Sequence, residues 1–266
     1  MSYLGNEETL VELPAIEYLE NKLGYNFIHG KELTPTSGAR DSLADVVLVD
    51  RLKTSLKKLN PWMNEGNLDR AIRYISRADS LGTGLLEINE KIYDALVDLT
   101  FTVEQDLHGD GQKKHHTVHF IDWDNVDNND FLVVRQFEVQ TLSGKSIFPD
   151  IVIFINGIPV VVLEAKSPFL EKGNNESIGK KQAFEQLRRY MNVRDEALGE
   201  GAPRLFYTNF FTGILNRYNA YVGTISSKYN HYSQWKDPHP FKKEEIENYK
   251  DCGQNIFIQG FLEKKN

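Results

Sequence analysis

The chain has 266 residues, 40% of them hydrophobic and 26% charged, and this composition excludes an intrinsically disordered or fibrous protein. Lys and Arg number 31 against 38 Asp and Glu, so the formal net charge of −7 does not indicate nucleic-acid binding, and any DNA contact must come from local patches. The single cysteine, Cys252, excludes an intrachain disulfide and favours the cytoplasm. We predict neither a signal peptide nor a membrane span, because the longest apolar run, residues 151–163, is interrupted and too short to cross a bilayer.

The first hundred residues are predicted to be mainly helical. Apolar residues recur with helical spacing in four stretches, and glycine, proline or polar residues separate these stretches. The predicted helices are residues 9–23, 41–59, 67–78 and 85–99.

A change of pattern near residue 116 predicts a β-sheet, because β-branched and aromatic residues dominate from there on. The predicted strands are residues 116–123, 131–140, 150–155 and 158–166. The last two are apolar at almost every position, which is typical of strands covered on both faces. The elements predicted after them are a polar helix over 176–197, strands over 204–211 and 220–226, and a short helical tail. No repeat or linker divides the chain.

A hairpin predicted around Asn156-Gly157 brings three charged residues together. These two residues between apolar runs are a strong turn signal, so the flanking strands pair antiparallel and their far ends meet. Asp150 begins one strand, and Glu164 and Lys166 share a face at the end of the other. From the residues alone, a surface ion pair at a solvent-exposed strand end is the favoured interpretation. A cation held between the acids is the alternative.

The register of this hairpin decides whether the two carboxylates can meet. A two-residue turn sets Asp150 opposite Leu163 and places Glu164 on the other face of the sheet. Convergence on one ion requires a shift by one residue, either through a three-residue loop over 156–158 or through an added β-bulge. We predict such a loop or bulge.

These residues resemble a nuclease signature. Pro149-Asp150 followed by Glu164-Ala165-Lys166 resembles the PD-(D/E)xK motif, and Gln186 with Tyr190 resembles the QxxxY motif of its RecB-like subgroup. Four longer runs are similar to the N-terminal nuclease region of the restriction (R) subunit of type I restriction-modification enzymes, namely LGYNFIHG, RLKTSLKKLNP, FPDIVIFINGIPVVVLEAKSP and TISSKYNHYSQWK.

The resemblance implies an α/β fold, restriction-endonuclease-like, with a mixed central β-sheet flanked by helices and a mostly helical N-terminal region. Residues 1–266 would form a single nuclease domain. Its parts would be a mainly helical 1–100, a catalytic sheet with the QxxxY helix over 101–230, and a tail over 231–266 towards an absent motor domain. We find no GxxxxGK[ST] phosphate loop, so ATP is not expected to bind this chain.

The resemblance also implies Mg²⁺-dependent endonucleolytic cleavage of double-stranded DNA, with Mn²⁺ as an expected substitute. Asp150, Glu164 and the Ala165 carbonyl would be the metal ligands, because hard divalent ions prefer oxygen. Lys166 would orient or deprotonate the attacking water and offset phosphate charge. Gln186 and Tyr190 share a helix face and would position Lys166 or DNA phosphate, or would only border the apolar stripe of their helix.

Glu12 has two interpretations. Family members carry a glutamate in the first helix that approaches the metal, which would make Glu12 a neighbour of the catalytic residues. Thr9 and Glu12 also fit a capping box, in which the Glu12 side chain caps the Thr9 backbone N–H. The sequence does not decide between them.

DNA and other subunits are the implied partners. The basic residues Lys180, Lys181, Arg188 and Arg189 lie on the QxxxY helix and are candidates for sequence-independent phosphate contacts. The motor domains of the full-length R subunit and the methyltransferase and specificity subunits are the implied protein partners. A non-catalytic DNA-binding or assembly module and a stand-alone repair-type nuclease remain as alternatives.

Overall fold

A mixed sheet forms the centre of the molecule in the computed structural model, which describes residues 5–171 and 177–266. Six α-helices lie in these residues: α1 (Leu13–Asn21), α2 (Val49–Leu59), α3 (Glu65–Ser76), α4 (Leu85–Leu96), α5 (Ser177–Tyr190) and α6 (Gln254–Phe261). A π-helical turn, Glu8–Glu12, leads into α1.

The strands are β1 (Asn26–His29), β2 (Thr102–Gln105), β3 (Lys114–Thr117), β4 (Phe131–Arg135), β5 (Val139–Gln140), β6 (Ser146–Ile147), β7 (Ile151–Ile155), β8 (Ile158–Ala165), β9 (Phe211–Leu215), β10 (Ala220–Gly223) and β11 (Ser233–Gln234). The described sheet of seven strands has the order β1-β4-β7-β8-β9-β10-β11. The β1–β4 and β8–β9 pairs are parallel, and the other neighbours are antiparallel. The strand pairs β2–β3 and β5–β6 lie outside it.

This architecture confirms the predicted fold class, a mixed α/β sheet flanked by helices with a mainly helical N-terminal region. Every residue of β8 is buried, and so are residues 151–154 of β7, which confirms that these all-apolar strands are covered on both faces. Among the described residues, no helix is long and apolar enough to cross a membrane.

The predicted helix over 41–59 begins only at Val49, so its first part is wrong. The backbone of that part bonds to the sheet region instead of to itself. The Leu48 N–H donates to the Gly157 carbonyl at 2.8 Å, and the Leu43 carbonyl accepts from Gln140 at 2.9 Å. Arg40 stiffens the same loop by donating to three backbone carbonyls. Tertiary hydrogen bonds therefore override the helical spacing.

The predicted strand over 116–123 is wrong beyond Thr117. Two carbonyls in this stretch bond to side-chain amides instead of to a neighbouring strand. Asn60 donates to the His119 carbonyl, and Asn156 donates to the Phe120 carbonyl, each at 2.8 Å. These buried amides satisfy the backbone, so the stretch is irregular, with Val118, Phe120 and Ile121 buried.

The strand predicted over 204–211 is also wrong, because Pro203–Phe206 is a 3-10 turn and β9 starts at Phe211. The Phe210 N–H donates to the Val160 carbonyl at 2.8 Å, which starts the parallel pairing of β8 with β9. The helix predicted over 176–197 ends at Tyr190, before Asn192 with its left-handed φ of 61°. Residue 176 lies outside the described residues.

The β7–β8 hairpin contains the predicted bulge. Asn156 and Gly157 form a two-residue turn with φ values of 55° and 80°, and Ile155 faces Ile158 beside it. The register shifts between Ile153 and Phe154, so that Ile151 faces Leu163. Continued by one residue, this register sets Asp150 beside Glu164. The bulge therefore brings the two acids to one place, as the sequence predicted.

Replacement of Gly157 tests the turn on which this register depends. A β-carbon at Gly157 would lie 2.5 Å from the Leu48 carbonyl oxygen and 2.8 Å from the Leu52 nitrogen, and the φ of 80° is unfavourable for alanine. We expect Gly157→Ala to lower the free energy of unfolding by about 3 kcal/mol in urea denaturation.

Gly144→Ala is the matched control. Gly144 has a similar φ of 82° but no atom within 4 Å of an added β-carbon, so only the backbone cost of about 1 kcal/mol applies. Equal losses in the two variants would contradict the importance of the contact with residues 48–52.

Candidate active site

The ends of β7 and β8 bring Asp150, Glu164 and Lys166 close together. Asp150 Oδ2 accepts a hydrogen bond from the Ala165 N–H at 2.8 Å. Lys166 Nζ donates to Glu164 Oε1 at 3.0 Å and to the Ala165 carbonyl at 2.6 Å. The structure therefore brings together the residues that the PD-(D/E)xK pattern singled out.

These charged residues are buried, so the favoured interpretation from the residues alone, a solvent-exposed surface ion pair, is wrong. Glu164 is 0% exposed, and Asp150 and Lys166 are each 7% exposed. Glu164 Oε2 has no hydrogen-bond partner among the described residues. A buried carboxylate oxygen without a donor is costly, because the desolvation of the group is not repaid by a hydrogen bond.

The electrostatics reflect burial and crowding of like charges. Burial, and then the Asp150 carboxylate, raise the pKa of Glu164 well above its ordinary value. Burial lowers the pKa of Lys166, but the nearby carboxylates of Glu164, Glu7 and Asp150 outweigh it and raise this pKa. Lys166 is therefore held as an ammonium ion among acids.

The N-terminal π-helical turn adds two more acids. Carboxylate oxygens of Glu7, Glu12 and Asp150 all lie within 4.8 Å of one another. Glu7 and Glu12 are five residues apart, and the i to i+5 hydrogen bonding of a π-turn brings such residues to the same side. Burial, and then the Asp150 carboxylate, raise the pKa of Glu12 to about 7.

The capping-box interpretation of Glu12 is wrong. The Thr9 N–H donates to Asn6 Oδ1 at 2.9 Å, so Glu12 does not cap it. The Glu12 carboxylate instead accepts from Gln136 Nε2 at 3.1 Å and lies 3.8 Å from Arg135 Nε. Glu12 thus faces the acids at the ends of β7 and β8.

Three residues around the site were not predicted. Glu7 accepts from the Ser167 N–H at 2.8 Å, Gln136 donates to Asp150 Oδ1 at 2.9 Å, and Arg135 pairs with Glu8 at 2.7 Å. A π-turn has no sequence signature, so nothing indicated Glu7. The strand that contains β4 was predicted to continue through residue 140, so Arg135 and Gln136 were interpreted as ordinary strand residues. The charge of Arg135 within an apolar strand was the available signal.

Helix α5 carries Gln186 and Tyr190, and these two residues bond to each other. Gln186 Nε2 lies 2.6 Å from Tyr190 Oη, which donates to the Phe148 carbonyl at 3.4 Å. No hydrogen bond joins either residue to Lys166 in the described part of the chain. Gly179 instead approaches Lys166, because a β-carbon there would lie 3.5 Å from Lys166 Cβ. Burial, followed by the Glu164 carboxylate, raises the pKa of Tyr190.

The four basic residues on α5 differ in their surroundings. Lys180 Nζ donates to the Tyr232 carbonyl at 2.7 Å and lies 4.9 Å and 4.7 Å from the ring centroids of Tyr221 and Tyr229. Arg188 donates to the Val193 carbonyl at 2.9 Å. An open groove along α5 is lined by Ile178, Lys181, Gln182, Glu185, Gln186, Arg189 and Arg194. Lys181 and Arg189 are therefore the basic residues that face this groove.

The residues at the site fit a hard divalent cation. Every potential ligand is an oxygen: the carboxylates of Glu7, Glu12, Asp150 and Glu164, and the Ala165 carbonyl. Mg²⁺ and Mn²⁺ prefer such ligands. The Glu164 oxygen without a donor marks a place where a positive charge would satisfy a buried group.

Comparison with known proteins places the chain in a family. Residues 5–231 match the family described as type I restriction enzyme R protein N terminus. The type I restriction enzyme HindI endonuclease subunit of Haemophilus influenzae is 31% identical over 233 residues, which cover 87% of this chain and 20% of that protein.

A second relative is the protein named "Putative type I restriction enzyme MjaIXP endonuclease subunit" from Methanocaldococcus jannaschii. It is 37% identical over 166 residues, which cover 61% of this chain and 15% of that protein. The chain spans about a fifth or less of the length of these curated relatives. By the extent of the match over residues 5–231, the chain belongs to the family of type I restriction enzyme R protein N termini.

Proposed function

We propose that this chain is the nuclease part of a type I restriction enzyme R subunit and cleaves the backbone of double-stranded DNA with Mg²⁺. The observation that carries the proposal is the convergence of Asp150, Glu164 and Lys166, with one buried Glu164 oxygen that receives no hydrogen bond from residues 5–171 or 177–266. The names of the relatives, which are endonuclease subunits, support it.

Asp150, Glu164 and the Ala165 carbonyl are the proposed metal ligands, and Glu12 and Glu7 are close enough to contribute. A bound Mg²⁺ would activate water and stabilise the charge that develops on the phosphate. The carbonyl of Ala165 accepts from Lys166 Nζ, and its second lone pair is the one proposed for the ligand role.

Lys166 is the proposed water-orienting residue, because its raised pKa keeps it an ammonium ion, which cannot accept a proton as a base would. Its ammonium group lies 3.0 Å from Glu164 and 3.9 Å from Glu7, so it sits between the acids. From there it can hold the attacking water or a phosphate oxygen beside the proposed ligands and offset the charge of the phosphate.

Gln186 and Tyr190 are proposed to act on the site indirectly. Tyr190 Oη donates to the carbonyl of Phe148, two residues before Asp150, and Gln186 fixes the Tyr190 hydroxyl. We propose that the pair holds the segment that carries Asp150 and sets the position of α5. This proposal differs from the role that the resemblance implied, which was to position Lys166 or DNA phosphate.

DNA contacts are proposed for the groove on α5. Lys181 and Arg189 face this groove. The Arg189 guanidinium carbon lies 5.0 Å from the centroid of the Tyr190 ring, which links the groove to the site. Lys180 and Arg188, the other candidates, already donate hydrogen bonds to backbone carbonyls.

Further partners are proposed from the family. In the complete enzyme, motor domains of the R subunit would bind and use ATP, and the methyltransferase and specificity subunits would supply recognition of the DNA site. The complex would work in the cytoplasm. This chain would contribute cleavage that does not depend on sequence.

Replacing Lys166 tests catalysis directly. We expect Lys166→Ala to slow the cleavage of supercoiled plasmid in Mg²⁺ or Mn²⁺ by about 100-fold or more, because a positioned proton donor or acceptor contributes that much. DNA binding, measured by fluorescence anisotropy, should stay within a few-fold of wild type.

Lys114→Ala is the control, since Lys114 lies exposed on β3. It should cleave at the wild-type rate. Equal cleavage by Lys166→Ala and wild type, or no cleavage by either with DNA binding intact, would favour the non-catalytic module instead.

The groove on α5 predicts which basic residues contact phosphate. The double variant Lys181→Ala/Arg189→Ala should weaken DNA binding at every sequence and reduce the slope of log K against log salt by about 0.9 for each lost contact. Lys180→Ala should leave this slope unchanged, because its ammonium group is already bound to the Tyr232 carbonyl. An unchanged slope in the double variant would contradict the proposed DNA path.

A further inference from the structure

Gln136 joins two acids of the site through one amide nitrogen. Its Nε2 lies 3.1 Å from Glu12 Oε2 and 2.9 Å from Asp150 Oδ1. A side-chain amide nitrogen carries two hydrogens, so one can be donated to each carboxylate. The two acids come from distant parts of the chain, the π-helical turn and the start of β7, and Gln136 connects them.

The backbone holds Gln136 in this place. It follows β4 directly and has a φ of 53°, the left-handed region that is unfavourable for a residue with a β-carbon. Its N–H donates to the Asp150 carbonyl at 2.9 Å, and the next N–H donates to the Pro149 carbonyl at 3.3 Å. The Gln136 carbonyl packs so closely on Gly30 that a β-carbon there would overlap it. A strained conformation enforced from two sides is typical of functional sites.

The charge of the donor is the important property. Carboxylate oxygens of Glu7, Glu12 and Asp150 lie within 4.8 Å of one another, so the acids repel one another unless donors hold them. Arg135 Nε already lies 3.8 Å from Glu12, and a lysine or arginine at position 136 would add a second cation and further neutralise the charge that attracts a metal ion. A neutral amide orients the acids and leaves their negative charge in place.

We propose that Gln136 is a positioning residue, which holds Glu12 and Asp150 at the separation that a divalent cation requires. The proposal rests on the proposed function, because it concerns the same metal site. It goes beyond that function by assigning the arrangement of the acids to a neutral residue at the end of β4, outside the PD-(D/E)xK and QxxxY patterns.

Binding of Mn²⁺, followed by the electron paramagnetic resonance signal of the free ion, tests this role without any cleavage reaction. Two variants remove the amide. Gln136→Ala keeps the strained backbone, and Gln136→Gly relieves it. We expect both to bind Mn²⁺ at least about 10-fold more weakly than wild type, as is typical when a residue that orients metal ligands is lost. Thermal unfolding in EDTA, measured in parallel, should rank Gln136→Gly as the more stable variant.

Asn248→Gly is the matched control, because Asn248 is another non-glycine residue with a left-handed φ, 56°, and is exposed. It should bind Mn²⁺ as wild type does. Mn²⁺ affinity within twofold of wild type in both Gln136 variants would overturn the proposal, because removal of the amide would then have no effect. Loss of affinity in Gln136→Ala alone would also overturn it, because the effect would then come from the strained backbone. Failure of the wild-type protein to bind Mn²⁺ would instead contradict the proposed function, and this proposal with it.

Discussion

A one-residue bulge in the β7–β8 hairpin is the constraint on which the site depends. Side chains alternate across a strand, so a shift of one residue moves every later side chain to the other face. Without the shift between Ile153 and Phe154, Asp150 would pair with Leu163. With it, Asp150 accepts from the Ala165 N–H and lies beside Glu164. The turn at Asn156-Gly157 fixes the starting register, and the bulge corrects it.

The site contains buried charged groups with incomplete hydrogen bonding inside a well-packed sheet. Glu164 is fully buried with one oxygen lacking a donor, and Arg135 Nε is also buried without a hydrogen-bond partner in the described residues. Breaking or leaving incomplete a buried charge network costs stability. The surrounding strands of apolar residues, buried on both faces, supply the stability that offsets this cost. Such a concentration of unsatisfied charge is more typical of a functional site than of a structural ion pair.

The sequence predicted which residues meet at the strand ends better than it predicted the surroundings of the site. The alternation rule and the Asn156-Gly157 turn showed that the two carboxylates could meet only through a shift of one residue, and the assumption that both hold one ion then predicted a longer loop or a bulge. The acids added by the N-terminal turn were harder to predict. Glu12 was left between two interpretations, and Glu7 was missed because the i to i+5 spacing of a π-turn leaves no trace in the sequence.

Long-range hydrogen bonds account for the other failures. Residues 41–48 show helical spacing, yet Leu43 and Leu48 bond to Gln140 and Gly157. The strand predicted through residue 140 breaks at Gln136, whose left-handed φ no propensity indicates. Lys180 and Arg188 on α5 donate to the carbonyls of Tyr232 and Val193, which lie beyond the helix in the chain, so the helix sequence does not show which basic residues are already engaged. Each of these outcomes is set by partners that the local pattern does not contain.

The most direct test of the account is the anomalous scattering of Mn²⁺ in crystals of the wild-type protein and of Asp150→Ala, with and without duplex DNA. The account predicts an ion in the wild type that contacts Asp150 and the Glu164 oxygen without a donor, and no ion in the variant. Absence of an ion in the wild type even with DNA, or an ion that remains in Asp150→Ala, would contradict a metal-dependent nuclease site at the ends of β7 and β8.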